Sequence, residues 1–140
     1  MTTPEGSFPA HGIFAGLATE DLDALASVGE PASFEASSAL FETGDAADAM
    51  YVITDGEAKV TVGGRFHILK AGDVVGEMAV LAPGKRMATV TAETPVRTLR
   101  VPGDAFQRFL LDHPAVALSI MKQLVIRLRE VEQRIDAWMA

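Results

Sequence analysis

The sequence predicts an α+β domain: a small antiparallel roll or barrel over about residues 31–101, a short helix before it, and two helices after it, the last one long. Three observations carry that prediction. From Pro31 to Val101 the chain breaks into short β-prone runs separated by turn residues, among them Asp55-Gly56 and Gly63-Gly64, which suit hairpins. Before the runs, Thr19 followed by Glu20, Asp21 and Asp23 reads as an N-cap with acids in the first helical turn. After them, Pro102 opens a short helical segment and Pro114 separates it from a longer one that extends to about Met139.

Taken in order, residues 1–12 mix Thr, Pro, Glu, Gly and Ser without periodicity, so a flexible tail is expected there and one domain over 13–140. The first helix carries the apolar stripe Leu22, Leu25 and Val28 and should serve packing. Alternation then sorts the strand faces: Val60 and Val62 point one way with Thr61 opposite, while Phe66 and Ile68 oppose His67 and Leu69. The inward set could line a pocket. Phe106, Phe109 and Leu110 mark the apolar side of the short helix near 103–113.

Composition narrows the function. A chain of 140 residues fits one domain, which buries about two-thirds of the surface of its unfolded chain. The formal net charge of -7 argues against nucleic acid as the direct partner of this segment, because phosphate neutralisation dominates such affinity. No apolar run approaches the ~20 residues of a membrane span and no leader pattern opens the chain, so a cytoplasmic, membrane-free location is expected. Absence of cysteine excludes disulfides, thiolate metal sites and cysteine nucleophiles. His11, His67 and His113 fall in the tail, a strand and an interhelix turn without ligand spacing, and no nucleophile elbow is present. The expectation is a protein that is not an enzyme and holds no metal.

The stretch from Gly76 to Val90, Gly-Glu-Met-Ala-Val-Leu-Ala-Pro-Gly-Lys-Arg-Met-Ala-Thr-Val, places a glycine, a carboxylate and a guanidinium around one short turn. Glycine lets backbone approach a ligand closely, and the helix-prone run after it leaves its first amides free to face an anion. Arg86 supplies a planar, permanently charged fork for two phosphate oxygens, whereas Glu77 only accepts hydrogen bonds and suits a hydroxyl donor. One anion and one hydroxyl point to a nucleotide. An isolated Glu and Arg at this spacing is more often an internal ion pair on a loop. Lys85 beside the arginine is expected in solvent, adding only to the local potential.

Gly-Glu, an apolar turn and then Arg-Met-Ala-Thr-Val resemble the phosphate-binding cassette of the cyclic nucleotide-binding domain family, found in catabolite activator-type regulators and protein kinase A regulatory subunits. The likeness continues through Leu40-Phe41-Glu42-Thr43-Gly44-Asp45, Met50-Tyr51-Val52-Ile53 with Gly56, Ala71-Gly72-Asp73-Val74-Val75, Pro102 and Phe106. It implies a jelly-roll-like antiparallel β-roll of about eight strands. It also implies that Arg86 grips the exocyclic phosphate oxygens, that Glu77 accepts from the ribose 2′-hydroxyl, and that the backbone of Gly76, Met78 and Ala79 completes the cradle. Cyclic AMP is preferred over cyclic GMP as ligand, because relatives that favour guanine often carry Thr after the Arg, and here that position is Met87. Where catabolite activator-like domains offer last-helix hydroxyls to adenine, this chain has Val131 and Glu132. The base is then expected against Val60, Phe66 and Val75, residues that serve equally as ordinary core, plus a side chain of the last helix. With Ala88, these make up the expected ligand set.

From Ala117 the apolar residues Ala117, Met121, Leu124, Leu128, Val131, Ile135 and Trp138 recur at alternating steps of four and three, a heptad seam. With Met121, Leu128 and Ile135 at a positions, Arg127 falls at g and Glu132 at the following e, where a parallel partner brings opposite charges together. Ile120 and Val125 form the apolar version of that pair. A homodimer through this helix is expected, in preference to a stripe that packs only on its own roll.

The expected function is a cyclic nucleotide-binding regulatory module that signals through its C-terminal helix. Two alternatives stand beside it: a ligand-free dimerisation module of the same fold, and the sensor part of a transcription regulator, since the chain stops at Ala140 before a helix-turn-helix could fit.

Overall fold

A computed structural model describes residues 8–10, 12–82 and 84–139, apart from the side chains of Ala79 and of residues 136–139. A 3-10 turn, Gly12–Phe14, leads to helix α1 (Thr19–Ser27). Eight strands follow: β1 (Glu30–Phe34), β2 (Ala39–Phe41), β3 (Ala49–Asp55), β4 (Ala58–Val62), β5 (Arg65–Leu69), β6 (Val74–Val75), β7 (Thr89–Ala92) and β8 (Val96–Pro102). A short helix α2 (Glu77–Leu81) interrupts them between β6 and β7, and α3 (Gly103–Asp112) and α4 (Pro114–Met139) close the described chain. This is the antiparallel β-roll with a long final helix that the sequence predicts.

The strands form two four-stranded sheets, β1-β8-β3-β6 and β2-β7-β4-β5, every pairing antiparallel. Leu40, Tyr51, Ile53, Val60, Leu69, Val90 and Val96 fill the space between them. A second core lies under the helices, where Met50, Val52, Leu99 and Val101 meet Phe14, Leu25, Phe106, Phe109, Val116 and Ile120. The unbroken apolar run Ala49-Met50-Tyr51-Val52-Ile53 has its cause here, since β3 is buried on both faces and alternate residues feed the two cores.

Several local expectations change. Gly63-Gly64 joins β4 to β5 as a hairpin, but Asp55-Gly56 does not make one, because β3 and β4 lie in different sheets and Gly56 turns the chain across the roll. Gly56 has φ +92°, and a Cβ there would collide with the Pro95 carbonyl, so the crossover needs glycine for conformation and for space. Thr19 is the first helical residue, not the cap; Ala18 precedes it and its carbonyl accepts from the amides of Asp21 and Leu22 at 3.0 and 3.1 Å. Phe8, inside the stretch expected as tail, is buried, its ring 4.6 Å from that of Phe14 in an edge-on contact. Residues 1–7 of that tail, and His11, lie outside the described residues.

Helix α4, at 26 residues, is about 39 Å long. Its first half packs on the 3-10 turn and α3 through Val116, Ile120 and the half-buried Leu124. From Leu128 to Ile135 every side chain is exposed. Of the residues expected to meet a partner, Leu124 and Ile120 pack instead on the chain's own core, while Leu118, Met121, Val125, Leu128, Val131 and Ile135 are exposed apolar residues. Trp138's side chain lies outside the described residues.

Candidate functional site

Gly76, at φ +84°, ends β6 and caps α2 in the left-handed conformation that glycine adopts without strain. After α2 the chain returns beside residues 44–47. The amide of Arg86 donates to the Asp45 carbonyl (2.7 Å), the Gly44 amide to the Arg86 carbonyl (2.9 Å) and the Ala47 amide to the Gly84 carbonyl (2.9 Å). These bonds fix the backbone that carries Arg86.

The Arg86 side chain then turns inward and is only 4% exposed. Its Nη2 donates to the Ala49 carbonyl at the start of β3, its Cζ lies 4.0 Å from the centre of the Phe41 ring, and Nη1 rests against Gly76 so closely that a Cβ there would collide. Asp48 Oδ1 approaches Nη2 at 3.8 Å. Burial lowers the Arg86 pKa, while Tyr51 and Asp48 act in the opposite sense. Nε and Nη1 are buried without any hydrogen-bond partner among the described residues. A buried charged group with donors facing no acceptor has unmet capacity to bind an anion. It borders a cavity of about 280 Å³ lined by Phe41, Val75, Gly76, Met78, Ala82, Lys85, Met87 and Ala88.

Glu77, the first residue of α2, points elsewhere. Its carboxylate is 3.7 Å from Nη1 of Arg127 on α4, and both residues line a second cavity of about 270 Å³ with Ile13, Phe14, His67, Leu69 and Val74. Gly12 allows this arrangement, because Nη2 of Arg127 lies where its Cβ would be. Arg127, expected at the dimer seam, is therefore engaged with its own chain.

Residues 31–113 match the sequence profile described as the cyclic nucleotide-binding domain. The chain belongs to the cyclic nucleotide-binding domain family. It is similar to the CRP-like cAMP-activated global transcriptional regulator of Mycobacterium tuberculosis, at 28% identity over 89% of this chain and 58% of that protein. It is also similar to the cAMP-dependent protein kinase regulatory subunit of Yarrowia lipolytica, at 37% identity over 72% of this chain and 28% of that subunit. The chain thus spans little more than half of the first relative and less than a third of the second. Among solved structures it resembles the N-terminal domain of a transcriptional regulator from Streptomyces coelicolor A3(2), with a TM-score of 0.81 and 27% identity, covering 93% of this chain and 94% of that one.

Within this cyclic nucleotide-binding domain, the expected ligand residues divide into groups. Val75, Gly76, Met78, Arg86, Met87 and Ala88 gather at the Arg86 cavity, and Glu77 opens on the Arg127 side of α2. Ala79 lies within α2, its side chain outside the described residues. Val60 is buried between the sheets. Phe66 is placed away from both: the register pairs Val60 with His67 and Thr61 with Phe66, so Phe66 shares the outer face with Lys59, whose Nζ sits 4.6 Å from its ring centre. The expectation that set Phe66 beside Val60 is corrected by that pairing.

Sequence reasoning overlooked Phe41, which lies in the matched run Leu40–Asp45 and forms the floor beneath Arg86, and Ala82 on the cavity wall. Lys85 is exposed as expected and also lines this cavity. Among the described residues no group of three His, Asp or Glu side chains could hold a metal ion, and no single helix is long and apolar enough to cross a membrane.

Proposed function

We propose that this domain binds cyclic AMP at Arg86 and regulates an attached or associated effector through α4. The observation that carries the reading is the pair of orphaned donors, Nε and Nη1, on a guanidinium that is otherwise fully packed. A ligand phosphate would accept from a donor that the protein leaves unpaired, and each charge-assisted bond contributes on the order of 1.5–3 kcal/mol. Gly76 and the first amides of α2, which has no side-chain cap, supply the rest of the cradle. The ribose 2′-hydroxyl is assigned to Glu77. Met87 offers no hydroxyl to guanine, which favours adenine, and Val60 and Val75 are its apolar neighbours on the roll.

Output runs through the Glu77–Arg127 contact. A ribose hydroxyl on Glu77 competes with Arg127 for the carboxylate and so biases the position of α4, provided the ligand binds the two arrangements with different affinity. The outward face of Leu118, Met121, Val125, Leu128, Val131 and Ile135 is large and apolar enough to join a second copy, giving a homodimer through α4. The net charge of -7 argues against direct nucleic-acid binding by this segment. An intracellular nucleotide as ligand supports reading the protein as a cytoplasmic sensor in preference to an enzyme.

The exposed α4 face by itself favours a second reading, a dimerisation module that has lost its ligand. Titration with cyclic AMP, cyclic GMP and 5′-AMP, with melting temperatures in parallel, separates the two. The sensor binds cyclic AMP most tightly and melts higher with it, as mass action requires. No shift with any of the three would leave the dimerisation module.

A further inference from the structure

The carboxylate of Asp48 stands between two arginines. Its Oδ1 is 3.8 Å from Nη2 of Arg86, and its Oδ2 is 3.5 Å from Nη2 of Arg100 on β8. Arg100 also donates to Glu30 Oε1 on β1 at 2.9 Å. The Asp48 side chain is 70% exposed, whereas that of Arg86 is 3% exposed. Asp48 and Arg100 border an open hollow of about 470 Å³ with Ala47, Gly103, Asp104 and Gln107, which leaves the carboxylate room to swing.

Arg86 does not need Asp48 to keep its place. The Ala49 carbonyl, the Phe41 ring and the Gly76 backbone already fix the guanidinium on three sides. At 3.8 Å the carboxylate is too far for a hydrogen bond and acts through charge.

We propose that Asp48 is an internal counter-ion that competes with the ligand phosphate for Arg86, and that Arg100 keeps hold of it when the phosphate arrives. This rests on the reading of Arg86 as the phosphate-binding residue. In the empty pocket Asp48 stabilises a buried cation whose Nε and Nη1 have no partner. With phosphate on the Arg86 guanidinium, the same carboxylate lies across one guanidinium from a second anion and repels it. Both effects weaken ligand binding, the first by stabilising the free state and the second by destabilising the bound one. Arg100 limits the second effect by holding the carboxylate on the side away from the pocket.

The consequence has an unusual sign. Neutralising Asp48 tightens ligand binding while it destabilises the unliganded protein, whereas removing a residue that merely positioned Arg86 weakens both. Because Asp48 is exposed, the size is that of a surface pair, about two- to fivefold in dissociation constant, and it fades with salt.

The test is calorimetric titration with cyclic AMP, and thermal unfolding without it, on wild type and Asp48→Asn at low and high ionic strength. Asp48→Asn should bind about two- to fivefold more tightly at low salt, with the gap closing at high salt, and should melt slightly lower when empty. In an Arg86→Ala background most of that melting difference should disappear, and its full persistence there would overturn the counter-ion role. Asp48→Asn that binds no tighter than a wild type that does bind overturns the counter-ion role alone. A wild type that binds neither cyclic AMP nor cyclic GMP overturns the phosphate reading of Arg86 and this proposal with it.

Discussion

Arg127 on α4 holds its guanidinium 3.7 Å from the carboxylate of Glu77 on α2, two residues fifty positions apart that join the cassette to the longest helix. In the ligand-free protein the carboxylate proposed to receive a ribose hydroxyl is thus already engaged. Arg127→Gln removes that competitor and one tether of α4. Cyclic AMP should then bind about two- to fivefold more tightly, the range of partly exposed ion pairs. Amide exchange over residues 121–135 should quicken without ligand. Slower exchange there, or weaker binding, would show that Arg127 supports the ligand instead of opposing it.

Arg86→Ala separates binding from stability. It discards the bond to the Ala49 carbonyl and the contact with Phe41, but it also removes a buried charge with two unpartnered nitrogens. Those terms oppose each other, so unfolding free energy should change by no more than about 1 kcal/mol. Cyclic AMP affinity should fall about 100-fold or more. Calorimetry that finds unchanged affinity would remove Arg86 from the phosphate site.

Gly76→Ala should be costly in both respects. The residue sits at φ +84°, and its new Cβ would run into Nη1 of Arg86. Left-handed strain alone costs about 1–2 kcal/mol, and the arginine must shift as well. Thermal unfolding should register the first effect and a cyclic AMP titration the second. An equally stable, equally tight variant would mean that the backbone relaxes freely at this turn.

The two apolar faces of α4 call for paired substitutions. Leu128→Glu, on the exposed face, should leave the melting of the monomer nearly unchanged and abolish dimer formed through α4, as read by light scattering across concentration. Leu124→Ala, packed against the helical core, should destabilise the fold by about 1–3 kcal/mol whatever the oligomeric state. If Leu128→Glu leaves a dimer intact, the association uses some other surface.

Features set by short-range chemistry could be read from the chain. Gly76 and Arg86 answer a local requirement, close backbone approach and a fixed cation, and the buried run Ala49–Ile53 announces a strand covered on both sides. Long-range choices were hidden. Asp55-Gly56 has turn chemistry whether the next strand folds back or crosses to another sheet. Alternation shows that Phe66 and His67 face opposite ways, but only the pairing of Val60 with His67 shows which of them shares the face of Val60. Counting heptads located apolar stripes on α4 without saying which would be covered. That was decided by Ile13 and Phe14, more than a hundred residues earlier, which bury Ile120 and draw Leu124 inward.

Strand β3 is a wall shared by two compartments. Its first residue, Ala49, gives its carbonyl to Arg86 and lies in the core between the sheets, while the next, Met50, is fully buried among the helices that carry α4. A pull on the guanidinium therefore crosses from the pocket's chamber to the helices' chamber within a single peptide unit, by a route that bypasses α2. On the function proposed above, pocket and helix are then joined by two conduits, one through movable side chains and one through stiff backbone, and cutting the first need not silence the output.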